Sequence, residues 1–139
     1  AAFAQKMGAD AVIDPTRDSF ADQVKALTGG RGADVIFCAV SVAQAVEAVA
    51  QGGRVHVYAS IRPRGTKISI DPNPFHSKEI VLTGTMSQDK EDVLQTVRLI
   101  SRGLIDLKPF ISLVLPFEKL GEGLQAALRT DTYRVIVTI

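Results

Sequence analysis

Residues 32–41, GADVIFCAVS, contain a run of uncharged residues from Val35 to Val40 that stops at Ser41, where a helical pattern begins. A short continuous apolar run bounded by turn residues is typical of a buried strand in a parallel sheet. Two Gly-Gly pairs, at 29–30 and 52–53, stand between helical and strand-like segments. The stretch therefore predicts a strand followed at once by a helix, which is the repeating unit of α/β sheets.

The same alternation extends to both sides of this strand. Gly8 ends a helical pattern, as expected of a residue that adopts the left-handed C-terminal conformation. Ser19 and Asp22 form a capping-box pattern that begins the next helix. We predict strands at 11–14, 33–40 and 53–60, with helices at 19–28 and 41–51. Their short connections predict a parallel sheet with helices on both faces.

The pattern changes after Ser60. A segment rich in Pro and Gly follows, and it contains a short alternating strand at 67–70. Beyond it we predict strands at 78–85, 110–116 and 134–139, a helix at 89–102, and a helix from Pro116 to Leu128. In the helix at 89–102, Val93, Val97 and Ile100 are expected to face inward. With no repeat and no long linker, the chain at 1–139 is predicted to be a single domain.

Composition excludes several classes of protein. The chain has 139 residues, 46% of them hydrophobic, and 16 basic against 15 acidic residues give a net charge of +1. This balance favours neither nucleic acid nor an anionic membrane as a partner. The only cysteine, Cys38, cannot form an internal disulfide, and no apolar run of about 18 residues exists to span a membrane. A reducing cytoplasm is therefore the expected location.

The carboxyl ends of two predicted strands form the candidate binding site. In an open parallel sheet, ligands bind beyond these ends, where strand-to-helix loops meet. The residues concerned are Cys38, Ala39, Val40 and Ser41 after one strand, and Ala59, Ser60 and Ile61 after the next. Small side chains there allow a flat ligand to approach the backbone. The alternative, equally supported, is that small residues only allow a short connection between the strand and the following helix.

Six segments in order resemble a known family. They are KMGADAVIDP, ALTGGRGADVIFCAV, QGGRVHVYAS, HSKEIVLTGT, GLIDLKPFISLVLPFEKLGEGLQAAL and YRVIVTI. Together they resemble the C-terminal part of a medium-chain, zinc-dependent alcohol or polyol dehydrogenase, most closely the sorbitol and threonine dehydrogenase branch. The resemblance implies part of a Rossmann-type sheet, the second half of a doubly wound domain, with a C-terminal helix and strand.

The resemblance also implies a partial site for NAD or NADP. Cys38, Ala39 and Val40 would pass beside the ribose on the nicotinamide side, and Ala59, Ser60 and Ile61 would meet the nicotinamide ring through backbone groups. Arg134 would lie near the pyrophosphate, to which a guanidinium can donate two parallel hydrogen bonds. A solvated arginine that opens the last strand is the alternative. This sequence departs from the family at Ser41 and Ser60, where glycine is frequent.

Two family features are not found in this sequence. The glycine-rich coenzyme fingerprint would lie before residue 1, so the chain resembles a fragment that starts in the helix after the second strand. The zinc of the parent enzyme needs Cys and His ligands, whereas this chain has one Cys and two His without suitable spacing. We therefore expect the isolated chain to lack catalytic activity. The substrate and the choice between NAD and NADP stay open.

The resemblance makes two further structural predictions. The strand at 80–85, from Ile80 to Thr85, would be a sheet edge that pairs with a second copy in a homodimer, because an exposed apolar edge invites association. The strand at 11–14 would lack its usual neighbours. It is therefore expected to pair directly with the strand at 33–40 or to be swapped between chains.

Other interpretations lead to different functions or to none. A non-catalytic dimerisation or assembly module is one alternative, and a methyltransferase-like domain, which also places GGR before an apolar strand, fits the C-terminal segments poorly. His56 is expected to be a partly exposed sheet histidine and His76 to pack or cap beneath the next strand. Cys38 is expected to be an inert small hydrophobe, and Asp14 is not assigned to ribose binding.

Overall fold

The computed structural model describes residues 2–139, which divide into two compact units at Met86 and Ser87. The expectation that 1–139 form a single domain stays a prediction. Among the described residues, no helix combines the length and the apolar character that crossing a membrane requires.

The first unit alternates helices and strands as predicted. Its elements are α1 (Ala2–Lys6), α2 (Phe20–Leu27), β1 (Ala33–Cys38), α3 (Val42–Ala48), β2 (Val49–Val57), α4 (Asn73–Ser77) and β3 (Val81–Gly84). The three strands form one parallel sheet in the order β1-β2-β3. An α/β fold with a Rossmann-like parallel sheet is thereby confirmed.

Local sequence signals explain most element boundaries in this unit. The Ser19 hydroxyl accepts a hydrogen bond from the Asp22 amide, 3.4 Å away, and so caps α2. Gly8 adopts φ +102° just after α1, in the region that glycine tolerates. The predicted helix at 41–51 is shorter than expected, because β2 begins at Val49. Residues Val49 and Ala33 already pair as strand partners.

The core of the first unit lies on one face of the sheet. It combines apolar side chains from β1, β2, α3 and the start of β3, including Cys38, Val46, Val49, Val55 and Ile80. The other face of β1 is open, since Val35 is 54% and Phe37 72% exposed. The expected helical cover on both faces is therefore wrong for β1 within residues 2–139.

Two predicted strands do not form. Residues 11–14 are irregular, and the Asp14 carbonyl accepts hydrogen bonds from Arg17 N and Gln23 Nε2 instead of from a strand. The expected direct pairing with β1 is also wrong, because β1 pairs only with β2 among the described residues. A strand requires a neighbour that satisfies its backbone N–H and C=O groups. The alternative of a swap between chains stays a prediction.

The segment at 67–70 likewise has no strand partner. It follows a turn in which the Pro63 carbonyl accepts a hydrogen bond from the Thr66 amide, 3.2 Å away. Ile70 packs against the core, but the residues between it and the turn are exposed. Alternation alone was therefore insufficient to make a strand here.

The second unit, residues 87–139, contains helices around a small sheet. Its elements are α5 (Lys90–Ser101), a 3-10 turn at Lys108–Phe110, β4 (Ile111–Pro116), a 3-10 turn at Phe117–Lys119, α6 (Leu120–Ala127) and β5 (Arg134–Thr138). β4 and β5 pair in parallel. Gly123 of α6 is buried, and a Cβ there would lie 3.5–3.7 Å from Val135, Leu115 and Val137. The predicted helices and strands of this half are confirmed.

One prediction about α5 is wrong. Val93, Val97 and Ile100 were expected to face inward, but they are 49%, 55% and 39% exposed. The amphipathic spacing is real and Asp89 caps the helix with a complete capping box to Asp92. Periodicity defines an apolar face but does not supply an element to cover it.

Candidate functional site

The carboxyl ends of β1 and β2 lie side by side. Cys38 is the strand partner of Val57, and the Tyr58 amide donates a hydrogen bond to the Cys38 carbonyl, 3.3 Å away. Since the strands are parallel, residues 39–41 and 59–61 leave the sheet at the same end, beyond the carboxyl ends of β1 and β2. The structure thus brings together the two segments that the sequence analysis selected.

An open groove of about 270 Å³ lies at the tip of β1. It is lined by residues 38–41, by Gln44 of α3, and by Pro15 and Phe20 from the preceding segment. Ala39 and Val40 are exposed, and Val40 reaches 82% exposure. Ala59, Ser60 and Ile61 leave the adjacent strand but do not line this groove.

The candidate residues differ in what they can offer a ligand. Cys38 is 6% exposed and belongs to the apolar core, so its side chain faces away from solvent. Ile61 is half-buried against the same core cluster. Ala39 and Ser60 are exposed and small. The strand ends themselves thus offer backbone groups and the small side chains of Ala39 and Ser60, while larger side chains such as Phe20 also line the groove, and the roles of these residues in binding stay predictions.

Ser41 is accommodated without strain. It has φ −121°, an extended conformation open to any residue, and its Oγ accepts a hydrogen bond from the Gln44 amide at 3.4 Å. The hydroxyl is thus engaged in capping α3. Serine at this position therefore has an ordinary backbone conformation.

Arg134 lies in the second unit, at the start of β5, where it pairs with Ile111. It lines a cavity of about 430 Å³ together with Leu107, Phe110, Ile111 and Tyr133. Within residues 2–139 its guanidinium makes no hydrogen bond or ion pair with another side chain. The expected place of Arg134 near a pyrophosphate stays a prediction.

The remaining polar candidates have structural partners or lie in solvent. His56 Nε2 lies 3.1 Å from Thr85 Oγ1, and its ring packs edge-on to Phe37 with centroids 5.7 Å apart. His76 is exposed in α4, so the expected packing beneath the next strand is wrong. Asp14 accepts hydrogen bonds from the Thr16 hydroxyl and amide, which hold the pKa of its carboxyl below the usual range. None of the three side chains faces the groove.

Several groove residues were not predicted from the sequence, among them Gln44 of α3 and, from the segment before β1, Pro15 and Phe20. Pro15 and Phe20 follow residues 11–14. A parallel strand at 11–14 would have ended beside the carboxyl ends of β1 and β2, so the sequence did hint at this position. Such a strand would, however, direct the residues after it away from the groove, whereas the observed irregular segment turns them toward it. The turn at Asp14 places them there.

Comparison with known proteins defines the family. A protein-family model described as zinc-binding dehydrogenase matches residues 1–102. A curated relative, 2-dehydro-3-deoxy-L-galactonate 5-dehydrogenase of Pseudoalteromonas atlantica, is 35% identical over 122 residues, or 87% of this chain and 36% of that protein. L-threonine 3-dehydrogenase of Bacillus subtilis is 30% identical over 141 residues, or 97% of this chain and 40% of that one. The chain belongs to the zinc-binding dehydrogenase family.

Solved structures agree on the fold. Alcohol dehydrogenase TADH from Thermus sp. ATN1 matches with a TM-score of 0.83 and 20% identity, covering 98% of this chain and 40% of that one. An alcohol dehydrogenase zinc-binding domain protein from Burkholderia ambifaria has the same TM-score with 22% identity, covering 99% and 38%. The chain therefore spans about two-fifths of the length of the proteins it matches. The expected similarity to alcohol and polyol dehydrogenases is confirmed.

The described residues do not fit a zinc ion. Within residues 2–139, no three side chains among His, Cys, Asp and Glu are placed together so that they could hold a metal. Tetrahedral zinc in proteins requires three or four such ligands. We therefore assign no role in metal binding to these residues.

Proposed function

We propose that this chain is the coenzyme-binding part of an NAD(P)-dependent alcohol or polyol oxidoreductase. The observation that carries the proposal is the pairing of Cys38 with Val57, which sets two exposed, small-residue strand ends beside each other. Ligands of open parallel sheets bind at such ends. Membership of the zinc-binding dehydrogenase family and the dehydrogenase names of the relatives support it.

The residues present fit a nicotinamide dinucleotide. Ala39 and Val40 would lie along its ribose on the nicotinamide side, and Ala59, Ser60 and Ile61 would orient the ring through backbone groups. The bound coenzyme supplies the hydride acceptor, whereas the chain supplies position and orientation. Since the described residues hold no metal-ligand set, we assign this chain the binding of coenzyme and not hydride transfer.

Titration with NADH tests the proposal. We expect a saturable change in NADH fluorescence with a dissociation constant in the micromolar range. Ala39→Tyr should abolish it, because a large side chain would fill the groove that Ala39 lines. Ala4→Tyr is the control, since Ala4 is exposed on α1 and lines none of the described cavities at the sheet edge. No saturable change, or equal binding by the Ala39→Tyr variant, would favour the alternative of a non-catalytic assembly module.

We also propose that a second copy pairs with the strand at 80–85. Within residues 2–139, β3 pairs with β2 alone and so lies at an edge of the sheet. Val81 and Leu82 are 43% and 41% exposed, whereas Ile80 is buried in the core of its own chain. An apolar edge with free N–H and C=O groups is covered when two copies continue one sheet. In the proposed homodimer the strand from Ile80 to Thr85 pairs with its copy, and Val81 and Leu82 become covered.

A further inference from the structure

A positively charged loop follows the second strand of the candidate site. This basic loop, residues 61–70 with the sequence IRPRGTKISI, contains Arg62, Arg64 and Lys67 and no acidic residue. The net charge of the whole chain is only +1. All three cationic side chains belong to exposed residues. Positive charge is therefore concentrated next to the proposed coenzyme site.

The backbone of the basic loop holds its two arginines in place. The Pro63 carbonyl accepts hydrogen bonds from the Thr66 amide at 3.2 Å and from the Thr66 hydroxyl at 2.6 Å. Gly65 has φ +86°, the conformation needed at the third position of a type II turn. Arg64 thus occupies the second position of a hydrogen-bonded turn, and Arg62 directly precedes its proline.

The basic loop is attached to the core at both ends. Ile61 and Ile70 pack against the cluster that includes Cys38 and Val42, which flank the tip of β1. Consecutive Cα atoms are about 3.8 Å apart. Arg62 directly follows the core-packed Ile61 and lies five residues after Val57, the last residue of β2.

Within residues 2–139, none of the three cations forms an ion pair. The ion pairs found among residues 2–139 involve Arg31, Lys90, Lys119 and Arg129. Asp71, the nearest acidic residue in sequence, accepts hydrogen bonds from the amide and the side chain of Asn73. A guanidinium pairs best with a carboxylate or a phosphate, to which it donates two parallel hydrogen bonds. Arg62 and Arg64 are two positions apart in the sequence, and neither forms an ion pair within residues 2–139.

We infer that Arg62 and Arg64 bind an anionic group of the alcohol substrate, so that the substrate class is a polyol bearing a carboxylate or a phosphate. The inference rests on the proposed function, in which Ser60 and Ile61 meet the nicotinamide end of the coenzyme. The basic loop begins at that end, where the reacting carbon of the alcohol must also lie. The two arginines are therefore specificity determinants for the substrate and not ligands of the adenosine end.

Binding of three probes to the full chain tests the inference. The probes are gluconate, sorbitol 6-phosphate and neutral sorbitol, added at constant ionic strength because salt screens exposed charges. The readout is the NMR signal of each arginine Nε–H group, with and without saturating NADH. Gluconate and sorbitol 6-phosphate distinguish a carboxylate site from a phosphate site. Saturable shifts of the Arg62 and Arg64 signals by either anion, and not by sorbitol, are expected.

A double variant, Arg62→Gln with Arg64→Gln, provides the second measurement. It should bind the anionic probe about tenfold more weakly, since charge-assisted hydrogen bonds are lost. Its NADH affinity should stay within about twofold of the original, because the inference assigns both arginines to the substrate and not to the coenzyme. Arg54→Gln is the control, because it removes an exposed positive charge from β2. Arg54 is the strand partner of Val35 and Val81 and so lies away from the carboxyl ends of the strands.

The outcomes separate the inference from the proposed function. Equal shifts with sorbitol, equal weakening in the Arg54→Gln variant, or a loss of NADH affinity in the double variant would overturn the inference. NADH binding without any anion-specific shift would overturn it and leave the proposed function intact. Anion-specific shifts without NADH binding would refute the proposed function while supporting an anion site at the basic loop.

Discussion

Gly32 is held in a position that only glycine can occupy. Its φ is +91°, and a Cβ built there would lie 2.5 Å from the Ala48 carbonyl oxygen and 2.9 Å from the Ala50 amide nitrogen. Both neighbours are backbone atoms at the junction of α3 and β2, so they cannot rotate away. The close approach lets β1 begin beside the start of β2.

Gly32→Ala should lower the free energy of unfolding by roughly 3 kcal/mol. The backbone at Ala48 to Ala50 must shift to admit the new Cβ, and the alanine must also adopt a positive φ. Gly30→Ala is the matched control, with φ +87° but nothing within 4 Å of the added Cβ. This substitution should lower the free energy of unfolding by only about 1–2 kcal/mol, because the positive φ is unfavourable for alanine but the added Cβ meets no other atom. Urea unfolding of the two variants measures the difference, and equal losses would show that the contact with Ala48 and Ala50 is not limiting.

Arg129 and Asp131 form the best-aligned ion pair among the described residues. Arg129 Nε and Nη2 donate to the two carboxylate oxygens of Asp131 at 2.9 and 2.6 Å. These hydrogen bonds lower the pKa of Asp131 and raise that of Arg129. Because the folded pKa of Asp131 is depressed, its stabilising effect is present above the unfolded pKa and is lost as pH falls through the folded pKa.

Arg129→Gln should raise the pKa of the Asp131 carboxyl toward its ordinary value. The measurement is the ¹³C chemical shift of this carboxyl as a function of pH, with and without the substitution. Both side chains are about two-thirds exposed, so little change in overall stability is expected. A titration midpoint that does not move would mean that the ion pair does not persist in solution.

At the scale of elements, β2 is the centre of the folded core. It lies between β1 and β3, and its Val55 is completely buried. Val35 of the neighbouring strand is 54% exposed on the uncovered face. Two valines in one sheet therefore have very different environments.

Val55→Ala should reduce the free energy of unfolding by about 2 kcal/mol, because two methyl groups are removed from a filled site. Val35→Ala should change it by less than about 0.5 kcal/mol, as expected for an exposed position. Chemical denaturation measures both. Similar losses for the two variants would show that the open face of β1 is covered in solution.

At the scale of the whole molecule, the two units differ in how much core they possess. All the buried hydrophobic residues of the described chain lie between Ala21 and Ile80, and Gly123 is the buried residue of α6. Many large apolar side chains at 87–139 are exposed, including Leu104 at 68% and Leu128 at 79%. Such surfaces commonly mark places where another chain or domain binds.

The proposed dimer is tested with Leu82→Lys. A lysine on the exposed side of an edge strand opposes pairing, because each copy would bring a positive charge to the same interface. We expect light scattering to give the mass of a dimer for the original chain and of a monomer for this variant. Val12→Lys, at a residue that is 42% exposed outside the sheet, should stay dimeric. A monomeric original chain would contradict the proposal.

Much of the fold follows from local sequence signals. The apolar run at 35–40, the capping serines at 19 and 41, and the glycines that end helices predicted β1, α2 and α3 because each signal acts within a few residues. Errors arose where a strand needs a distant partner, as at 11–14 and 67–70. The site was predictable in part, since Ala39 and Val40 directly follow a strand, whereas Pro15 and Phe20 reach the groove through a turn that the strand assignment concealed.

The amino-acid sequence by itself determined where most helices and strands begin and end, and which residues follow the strands, since caps, apolar runs and glycine conformations are local properties. Only the tertiary structure decided that Cys38 lies beside Val57, that β1 is an edge with one open face, and that residues 11–14 form no strand. The physical reason is that strand pairing and burial require the N–H, C=O and side chains of distant segments. No local pattern contains that information.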